Sequence, residues 1–143
     1  MRISVLSSAL AVSALLFAGP AFAEVVKMHA TLDGKQQSPA LDVPGKGTAE
    51  VTFDTESKKL EWTVEYSDLT SAPAAGHFHG PAARGENAGV AVPFEGDLAS
   101  PIKGSATLTD AQAADLLAGK YYINIHTPAN KGGEIRGQVE KAM

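Results

Sequence analysis

No cysteine occurs among the 143 residues of this chain. Disulfides, thiolate metal ligands and lipid attachment through a lipobox cysteine are therefore all excluded. Methionine is nearly as scarce: of three, only Met28 lies away from the termini, so no methionine-rich Cu(I) motif exists. No basic cluster interrupts an acidic balance of twelve Lys+Arg against sixteen Asp+Glu, which argues against nucleic acid and anionic membrane as partners. The catalytic signatures are missing too, with no serine nucleophile elbow, phosphate-binding glycine loop or dinucleotide fingerprint.

Long apolar runs are confined to the N-terminus. Arg2 reads as the positive head of an export signal, Val5 to Phe17 as its apolar body, and Ala21-Phe22-Ala23 as the small-residue approach to the cut. The run is short for a membrane span of about 20 residues and no second one follows, so no stable membrane insertion is expected. Cleavage after Ala23 would leave residues 24–143 as one mature domain without Arg2, hence with eleven Lys+Arg against sixteen Asp+Glu and a net charge of −5. A periplasmic or secreted protein is the expectation.

What is present is turn formers at short intervals. Gly, Pro, Asn and Asp punctuate the mature chain every 8–12 residues or so, with β-rich runs between them. The runs are Val25 to Leu32, Lys46 to Asp54, Lys58 to Ser67, Ala74 to Gly80, Ala88 to Phe94, Ile102 to Leu108, Lys120 to Thr127 and Glu134 to Glu140. Leu60, Trp62, Val64 and Tyr66 alternate with Glu61, Thr63, Glu65 and Ser67, a two-residue period that places the lone tryptophan in the core. Thr109 with Gln112 fits a capping box that opens a short helix over 110–118, and Gly119 is suited to end it. The class predicted is all-β: an antiparallel β-sandwich of two sheets with one short helix.

Three of the four histidines fall in two of these runs. In His77-Phe78-His79 both imidazoles share one face of a strand, with Cα atoms about 6.6 Å apart, and Phe78 points to the other. His126 closes the run Tyr121 to Thr127 and would add a third imidazole from a neighbouring strand. Such a trio suits a transition metal, copper first and zinc less so, since imidazole serves both and no thiolate competes. The plain alternative is that the histidines hydrogen-bond loops. Asn124 shares the His126 face and either orients a ligand or satisfies a loop backbone. Glu134, Arg136 and Gln138 alternate onto one face; an exposed cross-strand ion pair is the ordinary reading. The sharper one turns Glu134 or Arg136 toward the histidines, to set a tautomer or guide an anion. His29 reads as a surface or edge residue, with an extra ligand role as its alternative. Tyr121 and Tyr122 must point opposite ways, one into the core and one toward the site.

Several of these segments resemble the CHRD domain, the module named after its repeats in the animal protein chordin and found singly in exported bacterial proteins. The likeness rests on Ala30-Thr31-Leu32-Asp33-Gly34, Ala75-Gly76-His77-Phe78-His79-Gly80-Pro81-Ala82, Gly104-Ser105-Ala106 and Leu117-Ala118-Gly119. It continues in Tyr122-Ile123-Asn124-Ile125-His126-Thr127 and Gly133-Glu134-Ile135-Arg136-Gly137-Gln138. It implies an immunoglobulin-like β-sandwich, similar in outline to copper-zinc superoxide dismutase. Function is left to the residues. Three functions fit them: a metal-binding protein for copper tolerance, buffering or delivery, with a protein partner for transfer; a metal-free interaction module; or a superoxide dismutase-like enzyme. Four histidines are too few for a bridged two-metal centre, which counts against the third.

Overall fold

A computed structural model describes residue 19 and residues 22–143, so nearly all of the expected export segment over residues 1–23 lies outside the described residues. The strands among the described residues are β1 (Val25–Asp33), β2 (Lys46–Asp54), β3 (Lys59–Ser67), β4 (Ala75–His79), β5 (Val90–Pro93), β6 (Ile102–Thr107), β7 (Tyr122–His126), β8 (Ile135–Gln138) and β9 (Glu140–Lys141), with one α-helix, α1 (Asp110–Leu117), and a 3-10 turn at Gly34–Gln36. All pairings are antiparallel. The order β5-β4-β7-β8-β1-β2-β3-β6, with β9 added beside β1, is one continuous sheet nearly closed into a barrel. The all-β class and the short helix thus hold, while the two sheets expected of a sandwich are hydrogen-bonded into one.

Each strand turns its apolar residues inward as its period requires. Leu60, Trp62 and Val64 of β3 meet Ala49, Val51 and Phe53 of β2, Ile123 and Ile125 of β7 and Phe78 of β4 in one core. Trp62 closes the curl: its indole lies edge-on to Phe78 at 5.2 Å and stacks on Phe94 at 5.2 Å. β2 and β3 form a hairpin, and Asp54 holds its turn by accepting from the Glu56 and Ser57 amides at 2.9 Å. The capping box is formed as read: Thr109 Oγ1 accepts from the Gln112 amide and Gln112 Oε1 from the Thr109 amide. Gly119 follows the helix at φ +75°, where a Cβ would be strained. No helix among the described residues is long and apolar enough to cross a membrane.

On the outer face the structure departs from a simple inside/outside alternation. The outward residues of β7 and β8 are themselves covered, by the turn at 34–38 and the loop at 81–89. Tyr122, Asn124, Arg136 and Gln138 are buried although their strand neighbours Ile123, Ile125 and Ile135 already fill the core. The histidines lie at the border of this covered patch.

Candidate metal centre

The alternation in β4 does what two-residue periodicity demands. Phe78 is fully buried in the core, and His77 and His79 stand on the opposite face. β7 runs antiparallel beside it with His77 opposite Asn124 and Ala75 opposite His126. His126 is therefore the diagonal neighbour of His77, a separation that a long or aromatic side chain bridges. The three rings converge, with centroids 4.9 Å apart for His77 and His126, 5.3 Å for His77 and His79, and 5.8 Å for His79 and His126. One ring nitrogen from each lies within 4.8 Å of the other two. Metal–nitrogen bonds of about 2.0–2.1 Å need donors roughly 3–4 Å apart, so the trio must close by about 1 Å at its widest separation.

Two carbonyls set the tautomers. His79 Nδ1 lies 3.0 Å from the Ala88 carbonyl and His126 Nδ1 lies 2.8 Å from that of Lys131. A carbonyl only accepts, so both rings carry their proton on Nδ1 and present Nε2 as a lone pair. Outer hydrogen bonds of this kind are what orient imidazole ligands in metal sites. His79 Nε2 is buried and has no hydrogen-bond partner among the described residues. A buried polar atom left unmade costs stability, so this one calls for a reason. His77 Nδ1 lies 3.1 Å from His126 Nε2 and, that atom being an acceptor, donates to it. Ligation through His77 Nδ1 would move its proton to the other ring nitrogen.

Burial first, and then the neighbouring His126 and His79, hold the His77 imidazole below its ordinary pKa. His79 is also held below, chiefly by burial, with His126 and Arg136 adding to the effect and the Ala88 hydrogen bond opposing it. Both are thus biased toward the neutral form that ligation needs. Tyr122 lines the site, as one of the two tyrosines had to: its ring stacks on His79 at 5.0 Å and 3°. Its hydroxyl donates to the Ala88 carbonyl at 3.2 Å and accepts from the Ala88 amide, fixing the loop that orients His79. Tyr121 faces the core.

The remaining candidates divide. Asn124 touches no imidazole through a hydrogen bond. It donates to the Gly132 carbonyl and accepts from Gln37, so it anchors the loop whose Lys131 carbonyl holds His126. That loop comes so close that a Cβ on Gly133, already at φ +122°, would fall 2.2 Å from Asn124 Oδ1. Glu134 makes no hydrogen bond to a histidine, and the expected exposed ion pair with Arg136 is not formed. Its carboxylate is fully buried and accepts from the Thr70 amide at 2.8 Å, the Thr70 and Thr127 hydroxyls and the Asn130 amide. Burial would raise its pKa; these hydrogen bonds together outweigh that and hold it below the usual carboxylate range. Arg136 touches Tyr122 rather than a histidine, its guanidinium carbon lying 3.6 Å from that ring's centroid. His29 is not part of the trio and lines a separate small cavity with Gln36, Arg84 and Glu140. No sequence signal marked Gln37, and the backbone carbonyls of Ala88 and Lys131 carry none.

A small, cysteine-free protein built on one antiparallel sheet nearly closed into a barrel, with a three-imidazole cluster on its outer face, is the class so defined. The chain belongs to the CHRD domain family, which it matches over residues 28–139. Comparison with the curated proteins finds no match, and comparison with the solved structures finds none either.

Proposed function

We propose that this is an exported metal-binding protein that holds one copper ion through His77, His79 and His126. The observation that carries the reading is His79 Nε2, a buried lone pair with no partner among the described residues, in a ring whose other nitrogen is already fixed. An ion supplies the missing partner. Copper is favoured over zinc because it stands at the top of the divalent affinity order and the donor set is imidazole alone. Three protein donors leave a position open for hand-over to a partner, which suits tolerance, buffering or delivery outside the cytoplasm. The immunoglobulin- and superoxide-dismutase-like outline of the fold belongs to the same proposal.

Cu(II) titrated into metal-free protein should bind with one equivalent, and His77→Ala combined with His79→Ala should abolish it. Unchanged binding in that double variant refutes the site. Export is tested separately, by expressing the full chain with its own leader and sequencing the N-terminus of the exported protein, which should begin at Glu24. A second reading, a metal-free interaction module, is favoured by one contact: the His77–His126 hydrogen bond needs no ion. A protein that takes up neither copper nor zinc would bear it out.

A further inference from the structure

Arg136 has a difficulty that the metal does not resolve. It is only 2% exposed, and no carboxylate within the described residues pairs with it. Its Nη1 donates to Asn87 Oδ1 at 2.7 Å and its Nη2 to the Glu86 carbonyl, so three of its five N–H donors have no partner among the described residues. Glu86 supplies only that backbone oxygen, its carboxylate lying 3.4 Å from the Ala83 amide instead. The Tyr122 face and two neutral oxygens offer dipoles but no compensating charge. Burial accordingly pulls its pKa down, with Tyr122 opposing. Buried charges in proteins are ordinarily paired, and an unpaired one is costly.

Arg136 lines a cavity of about 240 Å³ to which none of the histidines contributes. Lys35, Arg84, Gln37, Ser38 and Gln138 line it with Arg136, and no acidic residue does. Lys35 has no ion-pair partner among the described residues. Arg84 is shared with exposed Glu140 and with Gln36 Oε1, so it contributes less than a full charge. A larger cavity, about 420 Å³ beside Thr31, Thr48 and Tyr66, shares no residue with this one. Two cations and part of a third therefore face one polar hollow whose deepest member lacks a counter-ion.

We infer that this hollow is an anion-binding site for a small oxyanion with at least two anionic oxygens, of the phosphate or short dicarboxylate class. Arg136 forms its floor and Lys35 and Arg84 its rim. A planar guanidinium with free N–H groups matches paired oxygens in a way that a point charge does not, and both ligand types present such pairs. The hollow exceeds the size of one phosphate, which leaves room for a dicarboxylate and its waters. No histidine of the copper site lines this hollow, and Tyr122 stands between Arg136 and His79.

The experiment is a titration of the metal-free protein with inorganic phosphate, succinate and acetate in separate arms, each at constant ionic strength. Heat and backbone amide shifts are both read. Saturable binding of phosphate or succinate is expected, tighter than acetate, with shifts centred on residues 35–38 and 84–87. Lys35→Ala and Arg136→Lys should each weaken it roughly tenfold or more, as loss of a charge-assisted hydrogen bond implies. His77→Ala with His79→Ala should leave it unchanged. No saturable binding up to about 10 mM, on the order of weak anion affinities, overturns the inference. So does binding that is indifferent to Lys35→Ala and Arg136→Lys, or that disappears in the histidine variant. Lys35 is a surface residue whose removal leaves the fold intact, so the test holds even if Arg136→Lys unfolds.

Discussion

Replacing His79 with phenylalanine separates a ligand from a structural residue more sharply than truncation does. In the metal-free protein His79 makes one hydrogen bond, Nδ1–H to the Ala88 carbonyl, and leaves Nε2 buried and unpaired. Losing the hydrogen bond costs about 0.5–1.5 kcal/mol, while removing the stranded nitrogen returns about 1–3 kcal/mol. The Ala88 carbonyl keeps a donor in the Tyr122 hydroxyl at 3.2 Å, so little new dissatisfaction arises. Phenylalanine also preserves the parallel stack on Tyr122, and its larger ring extends toward the space between the histidines. Its net effect should lie between no change and a gain of about 2 kcal/mol. A chain of this length gains roughly 3–5 °C in Tm per kcal/mol. Thermal melts in chelator should therefore show His79→Phe at or above the parent Tm, while copper titration shows the site lost. Stability sacrificed at a functional residue has that signature. A fall of more than about 2 kcal/mol in chelator, with copper binding intact, would refute the argument and make His79 structural.

Two further outcomes follow from the same contacts. Glu134→Ala removes the acceptor of four hydrogen bonds in a fully buried position and should cost about 3–5 kcal/mol in urea unfolding, with copper affinity per folded molecule unchanged; a loss under 1 kcal/mol would show that the network contributes little. Because the folded pKa values of His77 and His79 are depressed, the unfolded chain takes up these protons first. Metal-free stability should hold above pH ~6.5 and fall as the pH drops from there toward the depressed folded values, and His77→Ala with His79→Ala should flatten that fall in melts at stepped pH.

How much of this was legible beforehand differs from residue to residue. The opposition of Phe78 to His77 and His79 follows from strand periodicity alone. So does the inward face of Leu60, Trp62 and Val64, and the Thr109–Gln112 cap depends on four consecutive residues. These are local properties, fixed by backbone geometry whatever lies nearby. The third imidazole was legible only as part of a strand of the right kind, since nothing local says which strand β7 pairs with or in what register. That register, with His77 opposite Asn124, decides that His126 arrives within 3.1 Å rather than one rung away.

The outer face of β8 is where local reasoning failed. Glu134, Arg136 and Gln138 alternate with apolar neighbours and so predict a wet face, yet all three are buried. Their cover comes from loops tens of residues distant in the chain: Gln138 donates to the Ala82 and Gly119 carbonyls, and Arg136 to Asn87 and Glu86. Alternation reports which residues face the core but is silent about what packs on the other side. The sequence by itself determined the all-β class, the short helix and the pairing of two histidines on one face. Only the tertiary structure decided the near-closed sheet, the third imidazole, the carbonyls of Ala88 and Lys131 that fix two tautomers, and the burial of Arg136 with no carboxylate partner among the described residues. Each of those depends on contacts between segments far apart in the chain, which no local pattern encodes.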